Sequence, residues 1–184
     1  MRGTIMRRLV LGLVLACALL TTACDDEATA APGQNSQWPA SAAGIACQLL
    51  EYDTVAAKLG TTFDTAGGAK QGDTLTCALT QKDKKDPYLT LALTPTAIDS
   101  VVFSESVKPS GAYVMPDLGA IACRFTVPAT ADAGPALEMT WLSNTSRLVI
   151  LRYGFPLSTP PAEVDALTPK MLALAQQVEQ ALPG

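Results

Sequence analysis

Three cysteines in the body of the chain, Cys47, Cys77 and Cys123, two more near its start, Cys17 and Cys24, and no histidine among 184 residues bound the chemistry open to this protein. Without histidine there is no Ser-His-Asp or Cys-His nucleophile system and no His-containing metal site. No serine has a lysine three places on, and G-x-S-x-G, the glycine-rich phosphate loops and the EF-hand pattern are missing too. Carboxylates remain, since burial can separate the pKa values of two acids into an acid and a base. Asp25, Asp26 and Glu27 are adjacent, but in a polar stretch with nothing to hold them in a cleft. Asp83, Asp86, Asp132, Glu163 and Asp165 fall in predicted turns or helix starts, which suits solvation or capping. Lys82, Lys84 and Lys85 read as a solubilising turn. The expectation is no catalytic residue, no metal and no cofactor.

The start of the chain explains the early cysteines. MRGTIMRR carries three arginines and no acid, and residues 9–20 are apolar apart from one glycine, the layout of a secretory signal. That run is too short for a spanning helix, which needs about 20 apolar residues. Thr22-Ala23-Cys24 resembles a bacterial lipobox, with Thr21 where an aliphatic residue is usual and Leu20 one step further out. Val14-Leu15-Ala16-Cys17 fits the box in letters, yet cutting there leaves a very short apolar core and a hydrophobic new terminus. Arg7-Arg8 matches a twin-arginine export signal poorly, being flanked by Met6 and Leu9. The reading is a lipoprotein signal peptide over residues 1–23, with Cys24 carrying the lipid (diacylglycerol, palmitate) that holds the chain on the extracytoplasmic face of a membrane.

Removing Arg2, Arg7 and Arg8 with the leader leaves ten basic against seventeen acidic side chains, a formal charge of −7. Nucleic-acid binders use clustered Lys and Arg to displace counterions from phosphates, so no nucleic acid is expected. Residues 24–43 are small and polar with two prolines, a composition unable to offset its own ordering entropy. They read as a tether, with Trp38 docking on the domain that follows. In an oxidising compartment Cys47, Cys77 and Cys123 form an odd set. One bridge and one leftover thiol is the simplest solution: Cys47 with Cys77 is preferred, and Cys77 with Cys123 across neighbouring strands is the alternative.

The elements that position these residues follow from periodicity. The stretch TVAAKL ahead of Gly60 predicts a short helix, with Asp53 or Thr54 as its cap. TFDTAGGAKQGD reads as loop. TLTCALT and YLTLALT alternate at period two around the turn QKDKKDP and predict a hairpin. Pro95 suits the first turn of a helix over TPTAIDSVVFSES, and VKPSGAYVMPDLG reads as loop. GAIACRFTV alternates again, and ALEMTWL and RLVILRYGF flank a Ser143–Ser146 turn. Val164, Leu167, Met171, Leu174, Val178 and Leu182 form one helical stripe, which Pro169 is expected to kink.

Cys47-Gln48-Leu49-Leu50, Val55-Ala56, Leu59-Gly60, Cys77 in a strand, and Pro116-Asp117-Leu118-Gly119 before the next strand resemble a group of small actinobacterial lipoproteins of uncharacterised function. The resemblance covers residues 45 to the end and implies an envelope location, a compact α+β domain and a disulfide. The periodicities lead to the same class: a single α+β domain over residues 44–184, an antiparallel sheet of about five strands with helices packed on one face.

On that sheet Leu75, Leu79, Leu89, Leu91, Leu93, Ile121, Phe125 and Val127 are expected under the helices, with Thr76, Thr80, Thr90, Arg124 and Thr126 facing water. RLVILRY is apolar at consecutive positions, which brings Leu148 and Ile150, together with Arg152, to the polar side. Arg124, Ile150 and Arg152 thereby form a candidate binding face for an envelope protein or a small molecule, the plainer alternative being an Arg124–Glu138 pair with Leu148 and Ile150 under a loop. A non-catalytic binding module is the expected function. A histidine-free carboxylate enzyme and a structural spacer are the competing ones.

Overall fold

In the computed structural model, which describes residues 38–183, every predicted period-two run is a strand. The signal segment, Cys24 and most of the tether lie outside the described residues. β1 (Thr65–Gln71), β2 (Thr74–Thr80), β3 (Tyr88–Pro95), β4 (Tyr113–Met115), β5 (Ile121–Val127), β6 (Ala136–Leu142) and β7 (Arg147–Gly154) form one antiparallel sheet in the order β1-β2-β3-β7-β6-β5-β4. The sheet thus has seven strands where about five were expected. The two additions lie at its edges, where ladder hydrogen bonds recruit a strand without demanding an apolar face. β1 reads TAGGAKQ and is exposed along nearly its whole length, and Gly68 lies so close to the backbone of Ala43 that no side chain fits there. β4 is three residues long.

Two meanders make the sheet, and residues 96–112 carry the chain from one to the other. Pro95 closes β3 and does not start a helix. The helical turn comes later: the Asp99 carboxylate accepts from the amides of Val101 and Val102, both at 2.9 Å, capping α2 (Ser100–Val102), which runs on as a π turn over Phe103–Val107.

α1 (Tyr52–Leu59) ends as expected at Gly60, φ 77°, but it begins at Tyr52 without a side-chain cap. The Asp53 and Thr54 caps do not form, because both positions lie within the helix. Glu51, at the N-cap position, instead accepts from the Ser41 amide at 3.0 Å. That bond holds a 3-10 turn over Ala40–Ala43 in which Ala40 is fully buried, so the packed domain starts before residue 44 and the tether ends short of residue 43. Trp38 is 82% exposed and does not dock.

α3 (Pro161–Ala181) runs unbroken through the exposed Pro169 and lays Val164, Met171, Leu174, Ala175 and Val178 on the sheet. Together with Val55 and Leu59 of α1 they cover Leu79, Leu89, Leu91, Leu137, Met139, Trp141, Val149 and Leu151. The Trp141 Nε1–H donates to Glu179 Oε2 at 2.8 Å, and Glu179 Oε1 accepts from the Asn144 backbone and side-chain amides at 2.9 and 3.0 Å. One carboxylate thereby ties the β6–β7 turn to the last turns of α3.

Cys47 and Cys77 form the disulfide, Cα to Cα 5.0 Å, joining a 3-10 turn (Ile45–Leu49) to β2 on the helix-covered face. Cys123 is free and buried. No described helix is long and apolar enough to cross a membrane.

Candidate functional site

The register of β5 decides which surface is available. Ala122 pairs with Trp141, Arg124 with Met139 and Thr126 with Leu137, and all three partners belong to the helix-covered core. Directly opposed residues share a face, so Ala122, Arg124 and Thr126 lie on the covered side. Ile121, Cys123, Phe125 and Val127 lie on the other. This reverses the expected orientation of β5. On the covered side the small Ala122 stands opposite the bulky Trp141, and both are fully buried. Ile121 and Cys123 are received on the second face by Phe103, Leu142 and Leu148, where residues 96–112 cross the sheet. The expectation that helices cover one face only is corrected by the same contact, since α2 and its π turn close one end of the second face.

The three residues expected to share a face are therefore separated. Ile150 and Arg152 lie on the second face, opposite Thr140 and Glu138 of β6 and Ala92 and Thr90 of β3. Arg152 Nη1 stands 3.7 Å from Glu138 Oε2, a pair worth about 0–1 kcal/mol at partial exposure. Arg152 Nε is buried with no hydrogen-bond partner. Leu148 is partly buried in the small cluster around Phe103, whereas Ile150 is half-buried in the open part of the face.

Arg124 is on the covered side, at the edge where α3 begins. Its guanidinium lies 4.6 Å from the centre of the Tyr113 ring, with Nη1 3.6 Å from Asp165 Oδ1 and 3.5 Å from Thr168 Oγ1. An Arg124–Glu138 pair does not form, because the two side chains project from opposite faces. Arg124, Tyr113 and Asp165 line a cavity of about 580 Å³ with Pro128, Pro135 and Pro161. Here Arg124 fastens β4 and α3 to β5.

The open part of the second face combines Thr76, Thr90 and Ala92 with Ile150, Phe125 and the Arg152–Glu138 pair, all half-buried. Such a surface offers hydroxyl donors and acceptors, one charge of each sign and two apolar contacts across adjacent strands. It can recognise a flat partner. Cys123, at the margin of this face, is 1% exposed. Burial pushes its thiol pKa up, Lys108 opposes the rise and Glu138 adds to it, so the group stays protonated at neutral pH and packs as a small apolar side chain. Among the described residues no group of three His, Cys, Asp or Glu could hold a metal ion.

The chain matches no family model, no curated protein and no solved structure at a significant level. The site therefore rests on its own geometry. Sequence reading placed Ile150 and Arg152 on this side because RLVILRY breaks strict alternation; it gave Glu138 to Arg124 where the structure gives it to Arg152, and it put Phe125 under the helices because the side of β5 depends on its register against β6.

Proposed function

We propose that the protein is a lipid-anchored, extracytoplasmic binding module, held at the membrane through Cys24 and recognising an envelope protein through the open part of its sheet. The observation that carries the binding half is the second face itself. Half-buried Ile150 and Phe125 flank an Arg152–Glu138 pair with a spare guanidinium Nε, on the side of the sheet opposite the helix-covered core. The anchor half is supported by the leader, by small residues before Cys24, by the resemblance to small actinobacterial lipoproteins, and by the Cys47–Cys77 disulfide, which suits an oxidising compartment.

The anchor is tested by mass spectrometry of the mature protein from its native membrane. A diacylated Cys24 at the N-terminus is expected, and an unmodified N-terminus beyond it overturns the anchor. A photo-crosslinking residue at position 150 in intact cells should give one discrete adduct, lost with Arg152→Glu and not formed from position 166 on the exposed side of α3. Equal adducts from both positions would reject the face.

A further inference from the structure

Arg147 sits at the start of β7 opposite Pro95, on the same side of the strand as the buried Val149 and Leu151, and so on the helix-covered face. Its backbone amide donates to Ser143 Oγ at 3.0 Å. Its side chain has no such anchor: Nε is buried without a hydrogen-bond partner, and no carboxylate among the described residues lies within 4.0 Å of the guanidinium. A buried donor of a permanently charged group is costly to leave unpaired.

The guanidinium lines a cavity of about 470 Å³, inside the range of small-molecule sites. The other walls are apolar: Leu49 comes from the 3-10 turn, Leu75 and Leu93 from β2 and β3, and Ile45, 62% exposed, stands at the mouth. Gln48 adds an amide and Asp73 the other charge. The last turn of α3 contributes Ala181, where the helix dipole places partial negative charge. One cation facing an aliphatic wall accepts one anionic group. Asp73 and the helix end oppose a second negative charge.

We propose that this cavity binds a small molecule with an aliphatic body and a single carboxylate, the carboxylate pairing with the Arg147 guanidinium and the body lying along Leu49, Leu75 and Leu93. The planar fork of arginine matches both carboxylate oxygens. The site is on the opposite side of the sheet from the proposed partner surface and requires neither that partner nor the anchor, so it stands or fails separately from the proposed function.

The test uses the purified protein as its cells make it, with octanoate as probe and methyl NMR as readout, and needs no lipid. Saturable shifts are expected at Ile45, Leu49, Leu75 and Leu93, with octanol and the dianion suberate each weaker by roughly tenfold or more, as loss of a charge-assisted pair requires. Arg147→Gln should weaken octanoate by a similar factor and Arg147→Lys by less. Ile45→Asp, at an exposed position that spares the core, should weaken octanoate several-fold more than octanol, and it decides the matter should Arg147→Gln fail to fold. Absence of saturable shifts, shifts confined to other methyls, equal binding of octanol and octanoate, or octanoate binding unmoved by Ile45→Asp would each overturn the proposal.

Discussion

The two faces of this sheet are built from the same seven strands and differ in how they are closed. On one, α1, α3 and the disulfide-linked 3-10 turn cover a continuous core running from Phe63 to Trp141. On the other, a single connection buries Phe103, Cys123 and Leu142 at one end and leaves Ile150, Phe125 and the Arg152–Glu138 pair half-exposed. The covered face holds the fold, and the second leaves most of its side chains within reach of solvent. The contrast also shows that a crossing connection can take the place of a helix layer over part of a sheet, at the cost of a small cluster with few neighbours to share the load.

Large-to-small substitutions should expose the contrast most strongly. Trp141→Ala empties the largest fully buried side chain of the covered core and takes the indole donor from Glu179 Oε2, and should cost about 4–5 kcal/mol in denaturant unfolding. Phe103→Ala, in the smaller cluster, should cost about 3 kcal/mol, the low end for such a change. Equal losses would mean that the second face is as much a core as the first.

The disulfide comes next. Cys47 and Cys77 are 30 residues apart, and replacing both by alanine should cost about 3–4 kcal/mol in the chain-entropy model, or roughly 10 °C in melting temperature. Cys123→Ala should cost about 1 kcal/mol. A larger loss from Cys123 than from the bridge would invert the ranking of the faces.

Each face also buries one group that titrates in alkali. Burial raises the Tyr153 pKa, the Thr61 hydrogen bond opposing this and Glu163 adding to it. Burial likewise raises that of Cys123. In both, the folded state keeps its proton after the unfolded chain has lost it. The associated stability is complete below the unfolded values, about 8.5 for the thiol and about 10 for the phenol, and is lost as pH rises through the folded ones. Stability should therefore fall above about pH 8.5 and more steeply above about pH 10. Cys123→Ala should flatten the first part and Tyr153→Phe the second, as read from melting temperature against pH. A decline unchanged in both variants would show that neither group is as enclosed as its face requires.

The smallest effects belong to the ion pairs. Arg152→Gln and Arg124→Gln should each shift unfolding by less than about 1 kcal/mol, with Arg124 the larger because it also loses its place over Tyr113. A larger loss from Arg152 would mark the open face as part of the core and count against its use in binding.

Several features were legible in residue order because each is a local matter. The stripe Val164, Met171, Leu174, Val178 follows from helical spacing, and the β2–β3 hairpin from alternation across a polar turn. Gly60 ends α1 because its φ of 77° suits a residue without a Cβ. Local order could not say which side of a strand faces the helices. In β5, the alternation of AIACRFTV points Ile121, Phe125 and Val127 at the helices, yet the register against β6 sets Ala122 beside Trp141 and turns those apolar residues to the second face. That one decision moved Arg124 to α3, sent Cys123 to the second face and left Cys47 to pair with Cys77. The edge strands β1 and β4 and the cavity beside Arg147 were equally out of reach. A ladder needs a partner strand, and a cavity needs walls from segments far apart in the chain, so both arise only when the whole domain has closed.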